Sequence, residues 1–273
     1  MTEDDDTSPD NIRWAFGTGF ADPLHGVDTA VPDGVDAGEL AARCVALADD
    51  ALISAQRLAE WCTRAPELEE ELALANIGLD LLGQARLLYS RAGQADGTGF
   101  GEDAYAYFRD AASFRNVRLT ELPDGDFAFT IVRLLVTSIW RLAVFEELTG
   151  TADPVLAAVA AKGVKELAYH CRYAAEWTVR LGDGTAESRR RMCRALERIV
   201  PWLDELLTDR LAPGGVAERI RQALLQVLDR AGLTLPDAAP EPGSGRDGQH
   251  TEHLAPLLAE LQSVARAHPE AAW

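Results

Sequence analysis

Residues 66–88 read PELEEELALANIGLDLLGQARLL, and this stretch decides the fold that we predict. Proline is tolerated in the first turn of a helix, and the glutamates after it place negative charge where the helix dipole favours it. Apolar residues then recur at steps of three and four, which predicts a long helix. They form two stripes, one of Leu68, Leu72, Ala75, Leu79 and Leu82, the other of Leu74, Ile77, Leu81 and Leu88. Two stripes predict that most of the helix circumference is buried, as in the centre of a bundle.

The chain from Asp36 onward repeats this helical period. Asp36-Ala-Gly-Glu39 has the spelling of a capping box, and the apolar face behind it continues to Cys62. Asp153-Pro154 opens another helix, and no segment shows convincing strand alternation. The predicted helices span 36–62, 66–92, 102–111, 127–149, 154–181, 185–207, 216–231 and 251–267, with a Pro- and Gly-rich loop over 236–248.

Two helix-turn-helix pairs separated by a longer crossover are the layout of a ferritin-like bundle. We therefore predict an all-α fold, a ferritin-like helical bundle with additional C-terminal helices, over residues 36–273. Residues 1–35 are rich in Asp, Gly, Pro and Thr and have no regular period. That composition predicts an acidic, flexible N-terminal extension.

Charge and hydropathy argue against several classes of partner. The 26 Lys and Arg against 44 Asp and Glu give a net charge of −18, which disfavours nucleic acid and anionic membrane surfaces. The start MTEDDD does not resemble a secretory signal, so we expect a cytoplasmic protein. The most apolar stretch, 127–140, is interrupted by Arg133, and no segment approaches the roughly 20 apolar residues of a membrane span. The cysteines are widely spaced and are expected to be reduced packing residues: Cys44, Cys62, Cys171 and Cys193.

The motif of a di-metal carboxylate centre is missing. Such a centre needs a Glu from each of two helices and Glu-x-x-His from each of the other two. Of five histidines only His170 lies on a long central helix, with Glu166 at i−4 and Leu167 at i−3. A buried, hydrogen-bonded histidine is the simpler interpretation. The pair in His250-Thr-Glu-His253 could suggest metal ligands, but a cap by Thr251 on the last helix explains it better.

Polar side chains recur within the apolar helices where they could satisfy one another. Asn76, Asp80 and Gln84 follow at i+4 steps, which makes a polar stripe. The stripe could belong to an internal network that replaces a metal; alternatively it is exposed or lies in a subunit contact. The candidate members of the network are Glu60, Asn76, Asp80, Gln84, Arg86, Glu166 and His170.

Lys162 and Lys165 are the only lysines in the chain. They are either ordinary surface charges or partners of Glu166 and of an acidic group on another molecule.

Five segments carry a resemblance to a known family. They are Arg57–Cys62, Arg64–Leu68, Leu72–Arg86, Ala160–Glu166 with Tyr169-His170, and His250–Glu260. Together they closely resemble the PaaC family, the C subunits of the multicomponent phenylacetyl-CoA epoxidase, also called ring 1,2-phenylacetyl-CoA monooxygenase. The resemblance covers about residue 40 to Trp273, and its long middle motif is specific.

The resemblance implies a ferritin-like protein without a cofactor of its own that associates with the catalytic A subunit of the enzyme. That catalytic partner is a related bundle with a di-iron centre. The small B subunit and a reductase with FAD and an iron-sulfur centre complete the hetero-oligomer. With O₂ and NADPH it epoxidises the ring of phenylacetyl-CoA in aerobic phenylacetate degradation. The resemblance implies that C subunits are the structural, non-catalytic members of this enzyme.

The resemblance also implies a vestigial metal centre. When the chain is laid on the motifs of the catalytic relative from the shared Arg64-Ala-Pro66, the first Glu-x-x-His falls on Leu81 and Gln84. The second falls on Leu167 and His170. Leucine cannot coordinate a metal, so the resemblance implies no catalytic or cofactor-binding residue in this chain.

Three functions are therefore considered. The first is a non-catalytic structural protein that binds and stabilises the catalytic subunit. The second is a di-iron oxygenase with an unconventional site of His170, Glu166, Asp80 and Glu60. The third is a contribution to binding of the CoA portion of the substrate at the subunit junction, through arginine or through Lys162 and Lys165.

Overall fold

The computed structural model describes residue 24 and residues 26–212 and 215–271, and this part of the chain contains helices and no β-strand. The α-helices are α1 Ala37–Ala59, α2 Leu68–Ala95, α3 Glu102–Tyr107, α4 Phe127–Leu148, α5 Pro154–Gly182, α6 Ala186–Ile199, α7 Leu203–Leu207, α8 Val216–Arg230, α9 Leu254–Leu261 and α10 Ser263–Ala267. Short 3₁₀ turns lie at Ala111–Ser113, Arg118–Glu121, Val200–Trp202 and Gly245–Asp247.

Two long helix pairs form the bundle. α1 packs along α2 and α4 packs along α5, and the two pairs meet through α2 and α5. The crossover between the pairs contains α3 and two of the 3₁₀ turns, while α6 and α8 cover α4. This arrangement confirms the predicted all-α, ferritin-like bundle with additional C-terminal helices.

Aspartate caps set the starts of three of the long helices. The side chain of Asp36 accepts from the backbone N–H of Glu39, that of Asp126 from Phe129 and that of Asp153 from Leu156. Each cap satisfies a backbone donor that has no partner within the helix.

Close packing of α4 on α5 depends on Gly163. A Cβ at that position would lie 2.6 Å from Cδ1 of the buried Phe145. The Phe145 ring therefore packs directly on the α5 backbone.

The predicted end of the first helix is too late. α1 ends at Ala59, and the turn after it holds Thr63 at a φ of 71°, which no helix continues through. Cys62 therefore lies outside the helix and is exposed, as is Cys193, so the prediction of a packing role is wrong for both. Cys44 is buried, and burial raises the pKa of its thiol to about 12.

The helix predicted over 185–207 is interrupted. A 3₁₀ turn at Val200–Trp202 separates α6 from α7 and contains Pro201. Proline has no N–H to donate and its ring clashes with the preceding turn, so the α-helix cannot pass through it. The last predicted helix also begins later, at Leu254, and is divided at Gln262.

One of the two apolar stripes on α2 is not buried. Leu74, Ile77, Leu81 and Leu88 lie in the core as predicted, whereas Leu68, Leu72, Leu79 and Leu82 are exposed. The prediction of a helix buried around most of its circumference is therefore wrong. α2 has α1 and α5 on one side, and no described helix covers its other side between Leu68 and Leu82.

The central helix α4 has a longer apolar stretch than the sequence predicts. Phe127–Leu148 is long and apolar enough to cross a bilayer, so the expectation that no segment approaches this length is wrong. However, 83% of the most apolar 18-residue stretch of this helix is buried inside the fold. The helix contacts α5, α6 and α8. It occupies the position of a core helix.

Part of the predicted N-terminal extension packs on the bundle. Val31 and Val35 contact the core, and Arg91 Nη1 donates to the carbonyl of Thr29 at 2.6 Å. Residues 1–23 lie outside the described residues, so the rest of that prediction stays a prediction.

Candidate functional site

The four vestigial ligand positions lie in the facing helices α2 and α5. Leu81 and Leu167 both line a cavity of about 20 Å³ in the bundle centre. Gln84 and His170 are buried on the same two helices. Among the described residues, no group of three or more His, Cys, Asp or Glu side chains could hold a metal ion.

A guanidinium lies in the bundle centre beside these positions. Arg141, buried on α4, donates from Nε to Gln84 Oε1 at 2.9 Å and from Nη1 to the carbonyl of Leu47 at 2.9 Å. Gln84 Nε2 in turn donates to Glu166 Oε2 at 2.9 Å. Gln84 therefore connects a positive group to a negative one through a single buried amide.

Arg141 remains charged at neutral pH despite its burial. Burial lowers its pKa to about 10, because removing the guanidinium from water penalises the charged form. Arg141 also lines the small cavity, and its Nη2 has no hydrogen-bond partner among the protein atoms. A cavity of this size admits one water molecule, which can accept from such a donor.

His170 and Asp80 form a separate pair between α5 and α2. His170 Nε2 lies 3.0 Å from Asp80 Oδ2, and the imidazole is fully buried. His170 Nδ1 has no hydrogen-bond partner among the described residues. In the tautomer with the proton on Nε2, this nitrogen donates to Asp80, and Nδ1 presents a lone pair rather than an unpaired N–H donor.

Three candidate members of the internal network lie elsewhere. Asn76 is exposed, Arg86 is exposed and pairs with Glu102, and Glu60 at the end of α1 accepts from Arg57 Nη1 at 2.6 Å. Of the two alternatives left open by the sequence, an internal network does not hold for these three residues.

Helix geometry explains why the i+4 stripe divides. Each step of four residues rotates the side chain about 40° around the helix, because a turn has 3.6 residues. Asn76 is therefore exposed, Asp80 is half-buried and Gln84 is buried. The i+4 spacing places neighbours in contact but does not keep three of them on one face.

The two lysines have different environments. Lys162 Nζ pairs with Glu166 one turn further along α5, so its charge is already compensated. Lys165 is exposed and makes no salt bridge to any described residue. The structure therefore does not bring the two ammonium groups together on one anion-binding feature.

Sequence reasoning missed a buried network centred on Arg246. Its Nη2 lies 2.8 Å from Asp50 Oδ2 on α1 and 2.8 Å from Asp209 Oδ2, and Nη1 donates to the carbonyls of Ala46 and Arg115 at 3.1 and 2.5 Å. Adjacent aspartates at 49 and 50, within an otherwise apolar helix face, were the available signal. Nothing near Arg246 in the sequence identifies its partners.

The charges in this network are unbalanced. Two carboxylates share one guanidinium, so they outweigh burial and raise the pKa of Arg246. Burial raises the pKa of Asp50 to about 6, and the neighbouring Arg246 only partly opposes this effect. Asp50 therefore takes up a proton at a higher pH than an ordinary aspartate does, as the pH falls through about 6.

A second network binds the C-terminal segment to the crossover. Glu121 is fully buried; its Oε1 lies 2.7 Å from His250 Nδ1, and its Oε2 accepts from both N and Oγ1 of Thr251 at 2.7 Å. Thr251 Oγ1 also accepts from the N–H of His253 at 3.2 Å, but helix α9 begins only at Leu254. The predicted helix cap is therefore wrong, because Glu121 holds the threonine in the preceding loop.

Two comparisons with known proteins show what this chain is similar to. The profile of the phenylacetic acid catabolic protein family matches residues 28–273. The chain belongs to this family. It is also 41% identical over 247 residues to the C subunit of 1,2-phenylacetyl-CoA epoxidase from Escherichia coli (strain K12). That alignment covers 86% of this chain and 99% of the relative, and it confirms the resemblance found in the sequence.

The donor chemistry of this family member does not fit a di-iron group in the bundle centre. Two of the four aligned positions are leucines, and the buried Gln84 already uses both amide atoms within the protein. Glu166 is shared between Gln84 and Lys162. The fixed charge of Arg141 would also oppose a divalent cation at close range.

Proposed function

We propose that this chain is a non-catalytic structural subunit of a multicomponent phenylacetyl-CoA epoxidase that acts in aerobic phenylacetate degradation. The observation that carries the proposal is the bundle centre, where Arg141, Gln84 and Glu166 are hydrogen-bonded to one another beside Leu81 and Leu167. Family membership and the name of the relative support the reaction.

In this proposal the chain binds and stabilises the catalytic subunit, which carries the di-iron centre. The small subunit and a reductase with FAD and an iron-sulfur centre belong to the same complex. The chain itself holds no cofactor. The complex works in the cytoplasm, because a CoA thioester is too large and too charged to cross a membrane unaided.

The hydrogen bonds that join the helices of the bundle support the proposed structural role. In a metalloprotein the ion contributes folding free energy by joining ligands from several helices. Here charged and amide hydrogen bonds connect α2, α4 and α5. The bundle therefore has a rigid, cofactor-independent shape that a partner can use as a docking platform.

The test measures iron in the co-expressed complex and in this chain alone after anaerobic loading with ferrous iron, oxygen exposure and desalting. We expect iron to follow the catalytic subunit, with none retained by this chain. His170→Ala should lower thermal stability and leave iron content and the turnover of each assembled complex unchanged. About two irons per copy of this chain, lost in the His170 variant, would instead give this chain a di-iron site of its own.

A second measurement addresses stabilisation. The catalytic subunit is purified with and without this chain, and its thermal unfolding is followed in both samples. The proposal requires a higher unfolding temperature in the pair, and equal temperatures would contradict it.

A further inference from the structure

The outer side of α2 carries an apolar surface that no other described helix covers. We call Leu68, Leu72, Leu79 and Leu82 the leucine ridge, and their exposed fractions are 66, 55, 64 and 37%. Single exposed leucines are ordinary, but four on one helix face form a continuous patch, which in soluble proteins marks an interaction site.

The spacing of the ridge indicates what shape it accepts. With the half-buried Ala75 between them, the four leucines follow steps of four, three, four and three residues. This is the seam of a heptad repeat, the pattern that packs against one other helix at a shallow angle. The ridge is about 21 Å long at 1.5 Å per residue, enough for about four turns of a partner helix.

The charges around the ridge indicate what the partner carries. Glu67, Glu69, Glu70 and Glu71 lie at its N-terminal end, and none forms a salt bridge to a described residue. At the other end Arg86 continues the heptad step, but it already pairs with Glu102 at 2.7 Å. A partner helix with arginines or lysines opposite the four glutamates complements this surface.

A second copy of the chain is a poor occupant. Each copy carries a net charge of −18, and Arg86, the arginine that continues the heptad seam of α2, is already paired with Glu102. Two copies would bring like charges together, which costs association free energy.

We propose that the leucine ridge is the docking surface for a helix of the catalytic subunit, and that this helix presents an apolar heptad stripe flanked by basic residues. The inference rests on the proposed function, because the partner is the one named there. It adds the surface, the helix-to-helix geometry and the sign of the partner's charge.

The experiment uses full-length chains co-expressed with the catalytic subunit and measures the dissociation constant of the purified pair. The test variant is Leu72→Ser combined with Leu79→Ser. The matched control is Leu225→Ser, a 49% exposed leucine on α8. We expect the ridge variant to bind about a hundredfold more weakly or worse, and the control to bind like the wild type.

The charge prediction is tested in the same assay. Glu69→Lys combined with Glu71→Lys should weaken binding about tenfold at low ionic strength and flatten its salt dependence, since the partner is basic. Glu252→Lys, at a strongly exposed position before α9, is the matched control and should have no effect. Both ridge leucines are exposed, so circular dichroism should show the variants folded.

Each outcome has one meaning. If the wild-type chains do not associate, the proposed function fails. If they associate and the ridge variant binds equally well, the ridge proposal fails and the proposed function survives. If this chain alone forms a dimer by sedimentation and the ridge variant does not, the occupant is a second copy and the proposal is overturned.

Discussion

Removal of the Arg246 guanidinium should destabilise the chain strongly. In Arg246→Met, the carboxylates of Asp50 and Asp209 would remain buried without the group that now lies 2.8 Å from each of them. Removing one partner of a buried ion pair costs about 3–5 kcal/mol, far more than the pair itself contributes. For a chain of this length, about 2 °C per kcal/mol gives a fall in Tm of about 6–10 °C.

The pH dependence of the stability lost in Arg246→Met distinguishes the cost of a buried, unpaired carboxylate from the cost of lost side-chain packing. Without Arg246, the folded-state pKa of Asp50, already raised to about 6, rises further above its unfolded value. A carboxyl whose folded pKa is raised binds its proton more tightly in the folded state, so stability is lost as pH rises through that range. The deficit of the variant should therefore be largest at pH 8 and smallest at pH 5.

The assay is urea unfolding followed by circular dichroism at pH 5, 6, 7 and 8. Arg190→Met is the matched control, because Arg190 is exposed and lies 2.6 Å from the exposed Glu187 in a surface pair on α6. The control should lose less than about 1 kcal/mol at every pH. A deficit for Arg246→Met that is below about 1 kcal/mol, or that does not change with pH, would refute the reasoning.

Three further predictions concern single positions. His250→Gln should reduce stability below pH 6.5 more than at pH 8. Burial opposes the charged imidazole, but the hydrogen bond and charge of Glu121 outweigh burial and raise the folded-state pKa of His250. The stabilisation by the charged imidazole is therefore lost as the pH rises, and urea unfolding between pH 5 and 8 measures this loss. Gly163→Ala should cost about 1–3 kcal/mol in thermal unfolding, since its Cβ would meet Phe145 at 2.6 Å. Thr63→Gly should raise stability by up to about 1 kcal/mol in the same assay, because a β-branched residue at a φ of 71° is strained.

The long helices can be predicted because their signals are local. Apolar period, aspartate caps and flanking glycines lie within each segment, so the predicted ends of α4 and α5 agree with the structure within a residue or two. Pro201 is a local signal too, but apolar residues recur at helical steps on both sides of it. The sequence therefore predicts one helix over 185–207 where the structure has a break. Helix ends are less certain than helix existence.

The exposed leucine ridge cannot be predicted from α2 alone. Periodicity shows that Leu68 and Leu79 share a face, but it does not show whether this chain or another molecule covers that face. An apolar helix face that packs inside the chain and one that packs against a partner have the same periodicity.

The candidate site can be predicted in part. The sequence places Gln84 and Glu166 in one candidate network, and they lie within hydrogen-bond distance, as do Asp80 and His170. Arg141 is not predicted, because an arginine inside an apolar helix gives no local sign of the amide that it binds on another helix. Which charged and polar side chains pair across the bundle depends on how the helices pack, and this packing cannot be read from any one helix.

The Arg246 network has a consequence for how the protein is made. Asp50 and Arg246 are 196 positions apart, so α1 is synthesised long before its counter-ion. Until the C-terminal segment leaves the ribosome, Asp50 has the backbone N–H of Val117 but lacks its counter-ion, so we expect α1 to pack less firmly in the nascent chain. We therefore expect the bundle to reach its final stability only when residue 246 has been added, and fragments truncated before Arg246 should be loosely packed and prone to degradation.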